Sequence, residues 1–221
     1  KPLIIFCHGS GDTGLGVEEW IRSLIAPPIQ FSDFEWIFPT AEPIPYQLNG
    51  GEVSSVWYDR IGGFAPTFPE QTESIERSTQ RLLSIITDQV NKRRSSNIFI
   101  GGFSMGGAIA LQTAVRWQVQ NPTSPPLGGV IGLSCYLNND SKVWSLLKKN
   151  SSPIIIPPIY MAHGAEDDFI LPQWGKDTME KFQQHGSIDV SFRLIPHTHH
   201  DMNRDEIVDM LLFVKEKSTK S

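Results

Sequence analysis

Only two cysteines occur in 221 residues, Cys7 inside an apolar run and Cys135 directly after Ser134, and two thiols so placed make no disulfide framework. Buried thiols in a reducing compartment are expected, and with them a cytosolic (cytoplasmic) location. Basic residues are short as well. Nineteen of them stand against 24 acidic ones for a net charge of −5, which excludes the basic field that nucleic acid recruits. No run of 18 apolar residues exists, because the most apolar stretch, Pro153 to Ala162, is broken by Pro157 and Pro158; no membrane-spanning segment is expected. Charge is sparse at 19% beside 39% hydrophobic residues, a balance that excludes a disordered chain and supplies a sizeable core. The length fits one domain over 1–221. An initiator Met is lacking and Lys1 opens directly on a strand-like run, so a native N-terminal segment is expected to be missing. Asn139-Asp140-Ser141 and Asn150-Ser151-Ser152 fit a glycosylation pattern that needs a secreted context, and they carry no weight here.

What is present is an alternation of short apolar runs with segments of helical period, the signal of a mainly parallel sheet covered by helices. The expected strands are Leu3 to Cys7, Phe34 to Phe38, Asn97 to Gly101, Gly129 to Leu133, Ile159 to His163 and Val190 to Ile195. Most are apolar throughout, as strands buried on both faces are. Glu70 to Val90 sets Ile75, Thr79, Leu82, Leu83, Ile86 and Val90 on one helical face. Gly107 to Val119 reads as a second helix and Glu206 to Val214 as a third, with Asn203 and Glu206 spaced like a capping box. Pro39 to Pro69 is rich in proline, glycine and aromatics and has no period, which predicts an irregular loop excursion near the functional site. The polar tail from Lys215 to Ser221 is expected to fray.

Gly102-Phe103-Ser104-Met105-Gly106 fits G-x-S-x-G between a strand and a helix, the context of a nucleophile elbow. The glycines suit a strained strand-to-helix reversal where side chains would collide. A helix N-terminus behind Ser104 would aim N–H groups at an oxyanion. A serine hydroxyl needs a base oriented by an acid, and in this fold the order is serine, acid, histidine. Glu166, Asp167 and Asp168 follow the strand ending at His163. His197, His199 and His200 follow the last strand, and the residues alone leave both choices open. The histidine loop lacks the helical i, i+4 spacing and cysteine partners of zinc enzymes, so no metal is expected.

Gly9-Ser10-Gly11-Asp12-Thr13-Gly14 is a literal G-x-G-x-x-G after the first strand, but no acidic residue closes the next strand to hold a ribose, Glu42 coming only after the turn. A dinucleotide cofactor is therefore not expected, nor any other. In a hydrolase the same loop gives the second oxyanion donor, assigned to the Ser10 N–H beside that of Met105. Ser10 lacks an elbow and is not read as a second nucleophile.

With Phe6 to Gly14, Phe38-Pro39-Thr40-Ala41, Val56-Trp57-Tyr58-Asp59, Gly101 to Gly107, Leu133-Ser134-Cys135-Tyr136-Leu137 and His163-Gly164 with Asp167, nearly the whole chain resembles the acyl-protein thioesterase and lysophospholipase/carboxylesterase family. It looks closest to the lysophospholipase-like branch. The resemblance implies an α/β-hydrolase fold without a large cap domain, with strands ahead of Lys1 that this sequence does not show. It implies a serine hydrolase acting on carboxylic esters or thioesters, with Asp167 as acid and His200 as base, His199 being the runner-up. Trp57, Tyr136 and Phe169 are implied near the acyl pocket. A small-molecule or S-acylated protein substrate is implied, with transient contact with membrane-bound substrates. Two departures stand out. The family usually has Gln after the nucleophile and Leu at the first oxyanion position, where this chain has Met105 and Ser10. A short-chain carboxylesterase fits those departures as well as a depalmitoylase; a non-catalytic binding protein is the reading of another class. Oligomeric state is not legible.

Overall fold

Five consecutive apolar residues, Leu3–Cys7 (β1), are all buried, and their neighbours on both sides are parallel strands. The computed structural model describes every residue except 26, 28, 149–154, 186–187 and 220–221; the Asn150 pattern therefore lies outside the described residues. The central sheet also contains β2 (Glu35–Ile37), β5 (Ile98–Phe103), β6 (Gly129–Leu133), β7 (Ile159–Gly164) and β8 (Val190–Ile195), in the order β2-β1-β5-β6-β7-β8. All five pairings are parallel. This is the α/β arrangement the alternation predicted.

Alternate residues of β1 feed two separate cores, as the two-residue repeat of a strand requires. Leu3, Ile5 and Cys7 pack on one face with α2 (Thr72–Val90), α3 (Met105–Gln120), α4 (Lys142–Lys148) and α5 (Pro172–Gln183). Ile4 and Phe6 pack on the other with α1 (Gly14–Leu24) and α6 (Arg204–Thr219). Each such fully buried side chain contributes about 1.5–3 kcal/mol, which explains why the sheet interior is nearly all apolar. The stripe expected in α2 is the observed one, with Ile75, Thr79, Leu82, Leu83 and Ile86 buried.

Four expectations need correction. Helices α1, α4 and α5 have no counterpart in the sequence reading. Gly14 and Gly16 are poor helix formers inside α1; Gly14 is nonetheless required, because a Cβ there would lie 2.0 Å from the Phe38 carbonyl oxygen. The stretch 39–69 is not wholly irregular, since β3 (Pro43–Pro45) and β4 (Val53–Ser55) form an antiparallel hairpin. The tail does not fray from Lys215: α6 runs on to Thr219, with Lys215 bonded to Asp33 at 2.8 Å and Lys217 to Asp189 at 2.7 Å. The capping box is half formed. Asn203 Oδ1 accepts the Glu206 N–H at 3.0 Å, while both Glu206 carboxyl oxygens are buried without a hydrogen-bond partner among the described residues.

Candidate active site

Strand register brings the carboxyl ends of β1, β5, β6, β7 and β8 to one edge of the sheet, pairing Cys7 with Gly102, Phe103 with Leu133 and Gly164 with Ile195. In open parallel sheets that edge is where ligands bind. The loops that leave it carry His8 to Ser10, Ser104, Asp167 and His200.

Ser104 follows β5 with φ 55° and ψ −120°, a conformation that costs a non-glycine residue on the order of 1–3 kcal/mol. Its surroundings hold it there. The Ser104 N–H continues the sheet ladder to the Leu133 carbonyl at 2.8 Å, and α3 begins at the very next residue. A Cβ on Gly106 would come within 2.1 Å of the Cys7 carbonyl oxygen, and one on Gly102 within 2.4 Å of the Gly106 carbonyl carbon. Glycine is thus the only fit at either side of the serine.

Asp167 is buried in the turn after β7. Its Oδ1 accepts the N–H groups of Phe169 at 3.0 Å and Ile170 at 2.8 Å, and its Oδ2 lies 2.7 Å from His200 Nδ1. Burial pushes this carboxyl up, but hydrogen bonds from His163, His200 and the Ile170 N–H outweigh it and hold it well below the usual carboxylate range. It is therefore ionised at neutral pH. The histidine loop is tied to the acid turn by Glu166 N–H to Thr198 O at 2.9 Å and Ala165 N–H to Ile195 O at 2.9 Å. This close approach needs Gly164, where a Cβ would meet the Thr198 and His199 carbonyls at 2.3 Å.

Of the three histidines in that loop, one turns inward. His200 Nε2 lies 3.0 Å from Ser104 Oγ; His197 and His199 are exposed and face Glu166 at 3.0 and 3.7 Å. Asp167 bonded to Nδ1 leaves the Nε2 lone pair of His200 facing the hydroxyl, the arrangement a general base requires.

The Met105 N–H opens α3 and has no partner within the helix. In the loop after β1, Gly11 N–H donates to Ser55 O at 2.9 Å and Asp12 N–H to Gly9 O at 3.3 Å. No such bond takes the Ser10 N–H among the described residues. His8 braces this loop from behind: its Nδ1–H donates to Gly9 O at 2.6 Å and its Nε2 accepts the Ala41 N–H at 3.0 Å. Burial lowers its pKa, which favours the neutral ring these two bonds need.

Ser104, His200, Ser10 and Met105 share a cavity of about 330 Å³, walled by Trp20, Arg60, Phe64, Phe103 and Phe169. Of the expected substrate-binding residues only Phe169 lines it. Trp57 is 1% exposed; its indole N–H donates to the His8 carbonyl at 2.9 Å, so it supports the loop of Ser10 from below. Tyr136 is also buried, with its hydroxyl donating to the Phe64 carbonyl and accepting from Arg60. Both lie behind the cavity wall. Sequence reasoning did not assign Trp20, Arg60, Phe64 and Phe103 to the pocket; the available signals were that Arg60 and Phe64 sit in the excursion and Phe103 in the elbow motif. Two larger grooves of about 580 and 740 Å³ lie elsewhere, neither lined by Ser104 or His200.

The profile of the Phospholipase/Carboxylesterase family matches residues 1–218. The chain belongs to this family. Lysophospholipase-like protein 1 of Mus musculus is 35% identical over 205 residues, covering 92% of this chain and 82% of that protein. Acyl-protein thioesterase 1 of Emericella nidulans is 32% identical over 222 residues, covering 96% and 88%. Among solved structures, Arabidopsis thaliana SOBER1 superposes with a TM-score of 0.84 at 24% identity over 98% of each chain. Zea mays acyl-protein thioesterase 2 gives 0.82 at 24% over 99% and 94%. At that identity these structures establish the fold, the α/β-hydrolase, and the family membership makes the chain a hydrolase of that class. No described helix is long and apolar enough to cross a membrane.

Proposed function

We propose that this protein is a serine hydrolase in which Ser104 attacks the carbonyl of a carboxylic ester or thioester. The observation that carries the reading is the unbroken line from Asp167 Oδ2 through His200 to Ser104 Oγ, at 2.7 and 3.0 Å. His200 Nε2 takes the hydroxyl proton as the Oγ–C bond forms, and Asp167 stabilises the imidazolium that results. The oxyanion accepts hydrogen bonds from the N–H groups of Ser10 and Met105, each contributing on the order of 2.7–4 kcal/mol in comparable sites. Collapse of the tetrahedral intermediate expels the alcohol or thiol, to which His200 returns the proton. Water then repeats the sequence on the acyl-enzyme, with His200 again as base.

The substrate class follows from the relatives' names, an acyl protein or a lysophospholipid. Contact with membrane-bound substrates and a cytoplasmic location belong to the same reading, and the two buried free thiols support a reducing compartment. Against a long acyl chain stands the cavity, whose 330 Å³ is at the small end of the roughly 300–1,000 Å³ range of ligand pockets. A short-chain ester is the second reading for that reason. The test is labelling with a fluorophosphonate serine-hydrolase probe, followed by mass spectrometry of the modified peptide, with His199→Ala and His200→Ala alongside. Label on Ser104, lost with His200→Ala and kept with His199→Ala, is expected. A folded wild-type protein that takes no label overturns the reading. Rates on nitrophenyl esters of increasing chain length then separate the two substrate classes.

A further inference from the structure

Arg60 is 8% exposed and lines the Ser104 cavity. A guanidinium stays protonated in any protein environment, and a buried charge is normally paired with an opposite one. This one is not. Its Nη1 donates to the Tyr136 hydroxyl and its Nη2 to the Tyr58 hydroxyl at 3.0 Å, while its Nε has no partner among the described residues. Burial raises the pKa of both phenols, so they are neutral acceptors. The rings of Tyr58, Tyr136 and Phe64 surround the guanidinium carbon at 5.2, 5.2 and 5.6 Å, which favours a cation but does not neutralise it. The other charged group in the cavity wall, Asp12, is half-buried and accepts the Thr13 N–H at 2.7 Å, while the Arg60 guanidinium donates to the two tyrosine hydroxyls. A guanidinium without a salt-bridge partner among the described residues therefore lies in the wall of a small, mainly aromatic cavity, whose one other charged side chain is the Asp12 carboxylate.

Its place relative to the reacting atoms is set by a chain of ring contacts. Arg60 lies over Phe64, Phe64 meets Phe169 at 4.6 Å, and Phe169 meets His200 at 5.2 Å. The base that must protonate the leaving group is at one end of that chain and Arg60 at the other. Arg60 is the one Lys or Arg lining the cavity that Ser104 opens into, so it is the cation that a substituent on the reacting carbonyl can meet there.

We infer that Arg60 selects acyl groups that end in a carboxylate, so that the preferred substrates are esters or thioesters of short dicarboxylic acids, cleaved at the bond remote from the free acid. This rests on Ser104 being the nucleophile. A charge-assisted contact to carboxylate from an Nη hydrogen that neither tyrosine hydroxyl takes is the strongest recognition this cavity offers.

The test compares kcat/KM for monoethyl glutarate with that for ethyl hexanoate, an uncharged ester of similar length, and includes O-butanoyl glycolate, which carries its carboxylate on the alcohol side. Wild type is expected to favour the glutarate at least about tenfold over the hexanoate, with no such gain for the glycolate. The ratio should fall toward one in Arg60→Gln and be partly kept in Arg60→Lys. Taking the ratio within each variant cancels any common loss of active protein. On wild type alone, free glutarate should slow fluorophosphonate labelling of Ser104 more than the uncharged hexanamide does, a measurement that needs no variant to fold. Equal rates and equal protection, with Ser104 labelled, overturn the inference and leave the hydrolase reading intact. A preference for the glycolate, or one that survives Arg60→Gln, overturns it too. Absence of labelling overturns both.

Discussion

Asp167 does two jobs with two oxygens. Oδ1 closes the turn by accepting the Phe169 and Ile170 N–H groups, and Oδ2 serves His200, with His163 Nε2 3.3 Å away. An Asn side chain can keep the first role and not the second, since its NH₂ would face a ring nitrogen that must donate. Asp167→Asn should therefore preserve the fold while lowering kcat by about 10³–10⁴, the loss associated with a wrong imidazole tautomer. Steady-state kinetics beside circular dichroism reads this; a variant with near-wild-type kcat would remove Asp167 from the mechanism. His163 is the residue whose part was not legible. It is fully buried with Nε2–H donating to the Ile170 carbonyl at 2.7 Å, and a Cβ on Gly175 would lie 2.7 Å from its Nδ1. In the sequence it is only the His before a glycine. The residues also left the acid and the base among three neighbours each, because side chains one position apart in a loop differ in direction, and direction is set by packing that spacing does not encode. Trp57 and Tyr136 show the converse, since the resemblance implied a place near the acyl pocket for two side chains that are the supports behind it.

The elbow is the element where the sequence was most informative, because its glycines answer to backbone collisions and not to side-chain preference. Gly106→Ala should destabilise by more than about 3 kcal/mol or prevent folding, since a 2.1 Å contact with the Cys7 carbonyl can be relieved only by moving β1 or α3. Gly50 has φ 63° with nothing within 4 Å of a Cβ, so Gly50→Ala should cost only about 1 kcal/mol from its left-handed backbone. Urea unfolding of the two variants checks the contrast, and similar midpoints would mean that the elbow is less constrained than its contacts state. Strands were legible for a related reason: continuous apolar runs such as Leu3 to Cys7 are buried on both faces and have few other uses. The missed helices fail that criterion. In α5 the buried positions are Gly175, Thr178 and Phe182, a face whose apolar signal is a single aromatic ring, and α4 buries only Val143 and Trp144. The hairpin of β3 and β4 has three residues per strand, with prolines at both ends of the first, too short for any period to register.

At the scale of the molecule, stability against pH turns on two buried carboxyls shifted in opposite directions. Asp167 is depressed, so its contribution is complete above the ordinary carboxylate range and is lost only as the pH falls through its folded value. Glu206, fully buried at the start of α6, is pushed up to about 8 by burial, with the nearby Asp201 charge adding to the rise. In the unfolded chain it ionises near 4.5, so between about 4.5 and 8 the folded protein holds a proton that the unfolded one has released. The stabilising contribution of Glu206 is therefore present below that window and declines as the pH rises through it, by at most about 1.4 kcal/mol per pH unit. Glutamine has the shape of the protonated acid and cannot ionise. Glu206→Gln and wild type should differ little at pH 5, and the variant should become progressively the more stable toward pH 8. Urea midpoints at half-unit steps measure the divergence. Parallel curves would mean that the folded protein holds Glu206 charged, in which case a buried cation or water must face it.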